Sequence, residues 1–361
     1  MTDVLTSRER NRATLARQLL LERANVEPLD AVRHLVGLQA QVPHNPYIAL
    51  WSRLAGFRPE SLSELLAGRE VVRIGVMRGT IHLLTKDDCL VLRPVTQPVF
   101  EGQLWRHRDF SPHLRGLDLD PVIEAGRLAL EEPRTGTELR AFFAARFPEL
   151  DAAALAYACQ MRLALVQVPP RGLWRKSAQA RLTTAEMWLG RPLDAAPSLE
   201  EVVLRYLAAF GPASVADVTT WCRLTGLRAV VERLRPQLVA FRDERGRELF
   251  DLPDAPRPDP DTRAPVRFLP EYDNVLLSHD DRSRFFSDPD RALLGPWWSV
   301  GWGSVLHDGI VRAIWRAEAE GIVVRHVPLP KRKLAAIAAE GRRLARFLEL
   351  DGDVRLAPVS C

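Results

Sequence analysis

Val71-Val72-Arg73-Ile74-Gly75-Val76-Met77-Arg78-Gly79-Thr80-Ile81-His82-Leu83-Leu84-Thr85 is rich in β-branched residues on both sides of Arg78-Gly79. That pattern predicts two strands, Val71 to Met77 and Thr80 to Thr85, joined by a turn. Three helices precede them. Ser7 to Ala24 gathers Leu15, Leu19 and Leu20 on one side and Arg8, Arg10, Arg12 and Arg17 elsewhere. Glu27-Pro28 sets off a second helix, striped by Leu29, Val32 and Val36, which is expected to run to Gln39; Glu60 to Ala67 is the third. Three helices followed by a two-stranded hairpin make a winged helix, with a helix-turn-helix core and the hairpin as its wing.

The unit recurs twice. Pro121 to Glu131, a helix opened by the capping-box spacing Thr135-Gly136-Thr137-Glu138, and Asp151 to Leu165 lead to Val166-Gln167-Val168 and Gln179-Ala180-Arg181-Leu182. The insert from Pro169 to Lys176 reads as a second wing with Arg171, Arg175 and Lys176 at its tip. Ser198 to Phe210, Val215 to Cys222 and Leu227 to Arg235 then precede strands Val239 to Asp243 and Glu248 to Asp251 around Arg245-Gly246. A proline- and aspartate-rich linker, Pro253 to Pro265, opens a last segment. Its expected strands are Val266 to Leu269, Asn274 to Ser278, Gly309 to Ala317 and Gly321 to Val327, and its final helix is Pro330 to Phe347. The expected fold is mainly α with small β wings (α+β). It has three tandem winged-helix domains, at 1–115, 116–194 and 195–255, and a C-terminal mixed β/α segment at 264–361.

Bulk properties narrow the function. A chain of 361 residues exceeds one ordinary core. The net charge of +4, carried far more by arginine than lysine, suits nucleic acid without demanding it. At 7%, aromatic content argues against a single-strand binder built on base stacking. Cys89, Cys159, Cys222 and Cys361 form no C-x-x-C, so they read as small core residues of a reducing compartment. With no apolar leader-like stretch and no run of 18 apolar residues, a soluble cytoplasmic protein is expected. The metalloprotease, deaminase, P-loop and G-x-S-x-G templates are all missing. His279-Asp280-Asp281-Arg282 reads as an exposed polar turn rather than a metal site. Trp297-Trp298 and Trp302 read as core.

One stretch resists a purely structural reading: Gly37-Leu38-Gln39-Ala40-Gln41-Val42-Pro43-His44. Gln39 falls on the apolar stripe, where an amide without partners costs about 1–3 kcal/mol. Pro43 biases Val42 out of the helical region. In an extended chain residues i and i+2 face the same side. Gln39 and Gln41 can then converge on a small polar object such as a water. The alternative is that Gln39 caps a backbone group while Gln41 is solvated. Lys331, Arg332 and Lys333 occupy the first turn of the last helix, where cations oppose the helix dipole; a phosphate contact would explain them.

Leu38-Gln39-Ala40-Gln41, Met77-Arg78-Gly79-Thr80-Ile81-His82-Leu83-Leu84, and Phe268-Leu269-Pro270-Glu271-Tyr272-Asp273-Asn274-Val275-Leu276-Leu277-Ser278-His279-Asp280-Asp281-Arg282 stand in this order along the chain. Together they resemble the AlkZ/YcaQ-like winged-helix DNA glycosylases, over about residues 7 to 350. Gln39-Ala40-Gln41 matches the Gln-Φ-Gln signature of the AlkZ branch rather than the Gln-Φ-Asp of the other. The resemblance implies Gln39 and Gln41 as catalytic residues, excision of cationic N7-alkylpurines, and unhooking of interstrand crosslinks. A cationic purine is already a good leaving group, so a positioned water suffices and an amide, a very poor base, can hold it. No metal or cofactor is expected. No lysine stands where a Schiff-base nucleophile would, so strand cleavage is not expected. His44, Arg78, His82 and Arg282 are further candidates for substrate or DNA contact, with Lys331, Arg332 and Lys333. A base tethered to the opposite strand cannot swing about 180° into a pocket. An open site is therefore expected, lined by Arg78-Gly79 and Tyr272 to Arg282. The expected partner is double-stranded DNA carrying N7-alkylguanine or crosslinks, bound by a monomer and without a membrane. The competing readings are a winged-helix regulator or architectural protein without chemistry, and a glycosylase confined to simple alkylpurines.

Overall fold

The computed structural model describes residues 3–297 and 300–359, with Trp297 described through its backbone alone. Trp298 and Cys361 lie outside the described residues. Strand β1 (Val4–Leu5) leads into α1 (Ser7–Arg17), whose capping box joins Thr6 and Glu9. Helix α2 (Pro28–His34) starts on a proline and stops five residues short of Gln39. The apolar stripe misled here because Val36 (φ 54°) and Gly37 (φ 89°) both enter the left-handed region. A Cβ at Gly37 would stand 2.3 Å from Leu84 Cδ2, so only glycine makes this turn. The chain leaves it extended, as β2 (Leu38–Gln39).

After β2 come α3 (Asn45–Arg53), α4 (Pro59–Ala67), β3 (Val71–Gly75), β4 (Ile81–Thr85) and α5 (Lys86–Arg106). A second group follows: α6 (Ser111–Leu114), α7 (Asp120–Ala129), β5 (Arg134–Thr135), α8 (Gly136–Arg146), α9 (Ala152–Arg162), β6 (Leu165–Gln167), β7 (Arg181–Thr184) and α10 (Ala185–Leu189). The capping box expected at Thr135 and Glu138 is present. A third group contains α11 (Leu199–Phe210), α12 (Val215–Cys222), α13 (Leu227–Leu234), β8 (Val239–Asp243) and β9 (Glu248–Asp251). The C-terminal part contains β10 (Arg267–Leu269), α14 (Asn274–Leu277), α15 (Asp288–Leu294), β11 (Gly303–His307), β12 (Ile310–Glu318), β13 (Gly321–His326), α16 (Lys331–Phe347) and β14 (Val354–Pro358). The chain is thus a mixed α+β protein, and no described helix is long and apolar enough to cross a membrane.

The hairpins of the first two groups are not separate. They share one six-stranded sheet in the order β2-β4-β3-β6-β7-β5, sewn together where Arg73 opposes Gln167 and Ile74 opposes Val166. The third hairpin pairs with β1, and the C-terminal strands form a five-stranded sheet, β10-β11-β12-β13-β14. Phe268, Val305, Trp315, Ile337 and Leu344 fill the core between that sheet and α16.

Several expectations are corrected. Asn274 to Leu277 is helix rather than strand, because Asp273 caps the Val275 amide at 3.0 Å. Helix α5 went unread because Pro94 and Pro98 interrupt its pattern. The insert from 169 to 176 is no free wing: Tyr47 donates to the Gly172 carbonyl at 2.8 Å, the Trp174 amide donates to Ser63 Oγ at 3.0 Å, and Arg175 pairs with Glu349. The 279–282 turn is not simply exposed. His279 is buried with Nε2 on the Phe210 carbonyl, the Asp280 amide donates to Asp217 Oδ1, and Asp281 binds Arg10 and Arg247. Trp302 is buried core as expected, and so are Cys89, Cys159 and Cys222.

Candidate active site

The Gln39-Ala40-Gln41 segment is held from several directions. Gln39 pairs across the ladder with His82, so the two side chains leave the sheet on the same face. The Ala40 amide continues the ladder to the Ile81 carbonyl at 2.8 Å. The Ala40 carbonyl, between the two glutamines, accepts from Arg73 Nη2 at 2.8 Å. Arg73 is only 1% exposed and has no carboxylate within ion-pair distance among the described residues; burial and the nearby Arg171 charge lower its pKa to about 10.

The two amides differ in environment. Gln39 is 8% exposed, and its Oε1 is buried with no hydrogen-bond donor among the described residues. Gln41 is exposed, and its Oε1 accepts from the Ile81 amide at 3.2 Å. One is an acceptor without a donor; the other is fixed by the neighbouring strand.

A loop from Pro270 to Asn274 crosses the segment. Asn45 Nδ2 donates to the Glu271 carbonyl at 2.6 Å, and Asn274 Nδ2 donates to the Gly37 carbonyl at 3.3 Å. The loop is anchored underneath by a buried bidentate pair, with both Arg53–Asp273 contacts at 2.8 Å. Tyr272 sits at φ 60° with its ring exposed.

His82 is fully buried. Its Nδ1 lies 3.0 Å from the Thr80 carbonyl, which can only accept, so the proton sits on Nδ1. Nε2 is then the acceptor for Arg78 Nη2 at 3.3 Å. Burial first, and the Arg78 charge second, push the His82 pKa down to about 3, so the ring is neutral at physiological pH. Arg78 also donates to Asn274 Oδ1 at 2.8 Å and to the Trp221 carbonyl at 3.1 Å. Its guanidinium thus braces His82, Asn274 and the chain at Trp221.

Two clefts flank the crossing loop, and Pro270 and Glu271 line both. The first, about 400 Å³, begins at Val42, His44 and Asn45, immediately after the glutamines, and has Trp174 and Trp315 among its walls. His44 meets Trp174 edge-on at 5.9 Å between ring centroids; its Nε2 is buried without a partner among the described residues, and burial followed by the Arg73 charge lowers its pKa. The second cleft, about 590 Å³, is lined by Tyr272, Arg282 and Arg291. Arg282 forms no ion pair with Asp280 or Glu271 among the described residues. Its pKa is lowered by burial, then by the charges of Arg291 and Arg223. Three guanidinium groups thus share one neighbourhood.

Gln39, Gln41, His44, Arg78, His82 and Arg282 are therefore brought together around one loop. Lys331, Arg332 and Lys333 are not: no hydrogen bond or ion pair joins them to that loop among the described residues, and Lys333 bears instead on His307. Sequence reasoning passed over Arg73, Asn45, Trp174 and Glu271. An arginine inside the apolar run Val71 to Ile74 was the one signal available for Arg73; the others depend on tertiary contacts.

Comparison with known proteins bears on this arrangement. A family model described as DNA glycosylase AlkZ-like matches residues 32–347. The chain is 25% identical over 367 residues to a Streptomyces sahachiroi protein described as an interstrand DNA cross-link repair glycosylase, covering 95% of each. It is similar in fold to the solved structure of Streptomyces sahachiroi DNA glycosylase AlkZ, with a TM-score of 0.74 at 22% identity over 98% of this chain and 100% of that one.

Proposed function

This chain belongs to the AlkZ-like DNA glycosylase family, and from that premise we propose that it hydrolyses the N-glycosidic bond of cationic N7-alkylpurines in duplex DNA, using a water held between Gln39 and Gln41. The C1′–N9 bond breaks with its electron pair retained by N9, which discharges the purine. The sugar passes through an oxocarbenium-like state, the water oxygen adds to C1′, and one proton is released. Because the leaving group arrives charged, no acid is needed to protonate it. The observation that carries this reading is the buried Gln39 Oε1, an acceptor with no donor among the described residues, beside the exposed Gln41. A water donating to Gln39 satisfies that oxygen and is oriented by it.

We read the three helix–hairpin groups as tandem winged helices at 1–115, 116–194 and 195–255, with 264–361 supplying the crossing loop. His44 and His82 flank the water site as neutral rings, with Arg78 locking His82. Arg282 takes a backbone phosphate beside the lesion, and Lys331, Arg332 and Lys333 contact the duplex farther out. Buried Gln39 pairs across the ladder with the polar His82, and Gln41 is exposed. These features support an open site able to work on a purine still tethered to the opposite strand, and so interstrand crosslink unhooking. We read the protein as a monomer that envelops its site with several modules of one chain. The test is release of 7-methylguanine from methylated duplex: wild type releases it, and the double variant Gln39→Ala, Gln41→Ala does not while still binding DNA. Equal release by the double variant ends the assignment to these residues. Binding without release by wild type favours the non-enzymatic regulator. A gel assay on a mustard-type crosslink separates crosslink unhooking from action on simple alkylpurines alone.

A further inference from the structure

The glutamine pair can hold a water but carries no charge, whereas the reaction read above moves a positive charge from purine to sugar. A carboxylate stands close by. Glu271 lies on the crossing loop, its backbone carbonyl tied to Asn45, four residues past Gln41. Four residues earlier in the chain than Gln41, Gly37 receives Asn274 from the other end of the same loop. Glu271 therefore rides on a segment clamped on both sides of the glutamines. Its Oε1 is buried with no hydrogen-bond partner, and no lysine, arginine or histidine comes within ion-pair distance of it among the described residues. The other acids nearby are spoken for: Asp273 is paired with Arg53, and Asp281 with Arg10 and Arg247. The cations of the first cleft are also paired, Arg175 with Glu349 and Arg316 with Glu318. The neighbouring Tyr272 phenol has its pKa raised by burial first, then by side-chain hydrogen bonding with Glu271 and by its charge, so the phenol meets the carboxylate while Oε1 stays without a partner among the described residues.

A partly buried carboxylate oxygen without donor or cation is costly unless something positive arrives. We propose that Glu271 is a further catalytic residue, whose carboxylate faces the reacting nucleoside and acts as the counter-charge for the cationic purine and then for the oxocarbenium sugar. It forms no covalent bond; its role is fixed negative charge where positive charge develops. The inference rests on the glutamine site described above. It explains how a site with amides alone at its motif discriminates in favour of cations: attraction to the charged nucleoside comes from the loop, and orientation of water comes from the strand.

The test uses binding, which does not depend on turnover. Two duplexes are compared, one carrying a pyrrolidine azasugar that is protonated and mimics the cationic sugar, the other a neutral tetrahydrofuran at the same position. Wild type binds the cationic duplex at least tenfold more tightly. Glu271→Gln lowers that ratio at least tenfold, about 1.4 kcal/mol, with the affinity for the tetrahydrofuran duplex unchanged. The amide is isosteric, and the Asn45 bond goes to the backbone, so the loop stays in place. Single-turnover release of 7-methylguanine falls at least tenfold in the same variant, and Glu271→Asp restores part of the binding ratio. A ratio that survives Glu271→Gln, no cationic preference in wild type, or an equal fall for both duplexes each overturns the proposal. The glutamine reading fails on a different result, continued release by the double glutamine variant, so the two are told apart.

Discussion

Replacing Gln39 by leucine should make the protein more stable and less active at once. The amide oxygen of Gln39 is buried and unpartnered. The protein offers it no donor among the described residues, so only the bound water satisfies it, and immobilising that water costs up to about 2 kcal/mol. Leucine has similar volume, keeps the backbone ladder to β4 intact and removes the orphan. Part of the gain is offset because the side-chain nitrogen of Gln39 also disappears, so the expected net is about +1 kcal/mol. That reads as a higher urea midpoint at unchanged slope. Single-turnover release of 7-methylguanine should fall at least 100-fold, about 2.7 kcal/mol of barrier, in the range for one lost positioning group. Gln41→Ala has the opposite sign on stability. Its bond to the Ile81 amide is lost, for about 0.5–1 kcal/mol of destabilisation. If Gln39→Leu destabilises by more than about 1 kcal/mol, the amide is a satisfied structural group and the water-holding argument is wrong. An unchanged release rate would refute it equally.

Three further outcomes follow from the same contacts. Asp273→Ala leaves Arg53 buried without its partner and should cost about 3–5 kcal/mol in urea unfolding; a change under about 1 kcal/mol would remove the anchor assigned to the crossing loop. Arg282→Ala should lower the slope of log affinity against log salt for undamaged duplex by about 1, with little sequence dependence, since it deletes one phosphate contact; an unchanged slope excludes the contact. His82 titrates at about 3 folded and about 6.5 unfolded, so between those values the unfolded chain binds the extra proton and stability falls as pH falls. His82→Gln should flatten that fall by up to about 1.4 kcal/mol per pH unit in denaturation measured from pH 6.5 downward, and an unaltered pH slope would show that the ring is accessible to protons in the native state.

The helix–hairpin groups were legible because each announces itself locally. Thr135 with Glu138 and Ser214 with Asp217 close capping boxes, and the strands β8 and β9 fall where they are expected, on either side of Arg245-Gly246. The motif was legible as chemistry but misplaced as structure. Periodicity carried the helix through Val36, whereas Val36 and Gly37 turn left-handed at a place where a Cβ on Gly37 would press on Leu84, a residue 47 positions away. Glu271 and Asn45 could be quoted but not connected, because the bond between them spans 226 residues. Arg78 could be singled out as a candidate contact, but only the fold shows that His82, Asn274 and the Trp221 carbonyl engage it.

The shared six-stranded ladder has a mechanical meaning. Any slide of the first group against the second must break the pairing of Arg73 with Gln167 and of Ile74 with Val166, and would drag the guanidinium that holds the Ala40 carbonyl. The water-holding segment is thus riveted into a stiff plate rather than carried on a hinge. A stiff plate cannot close over a nucleotide, so the deformation needed for a fit has to come from the double helix, at about 1–6 kcal/mol for a bend of 40–90°. A template of this kind sorts base steps by how easily they yield. On this view the protein inspects DNA by pliancy before any chemistry begins.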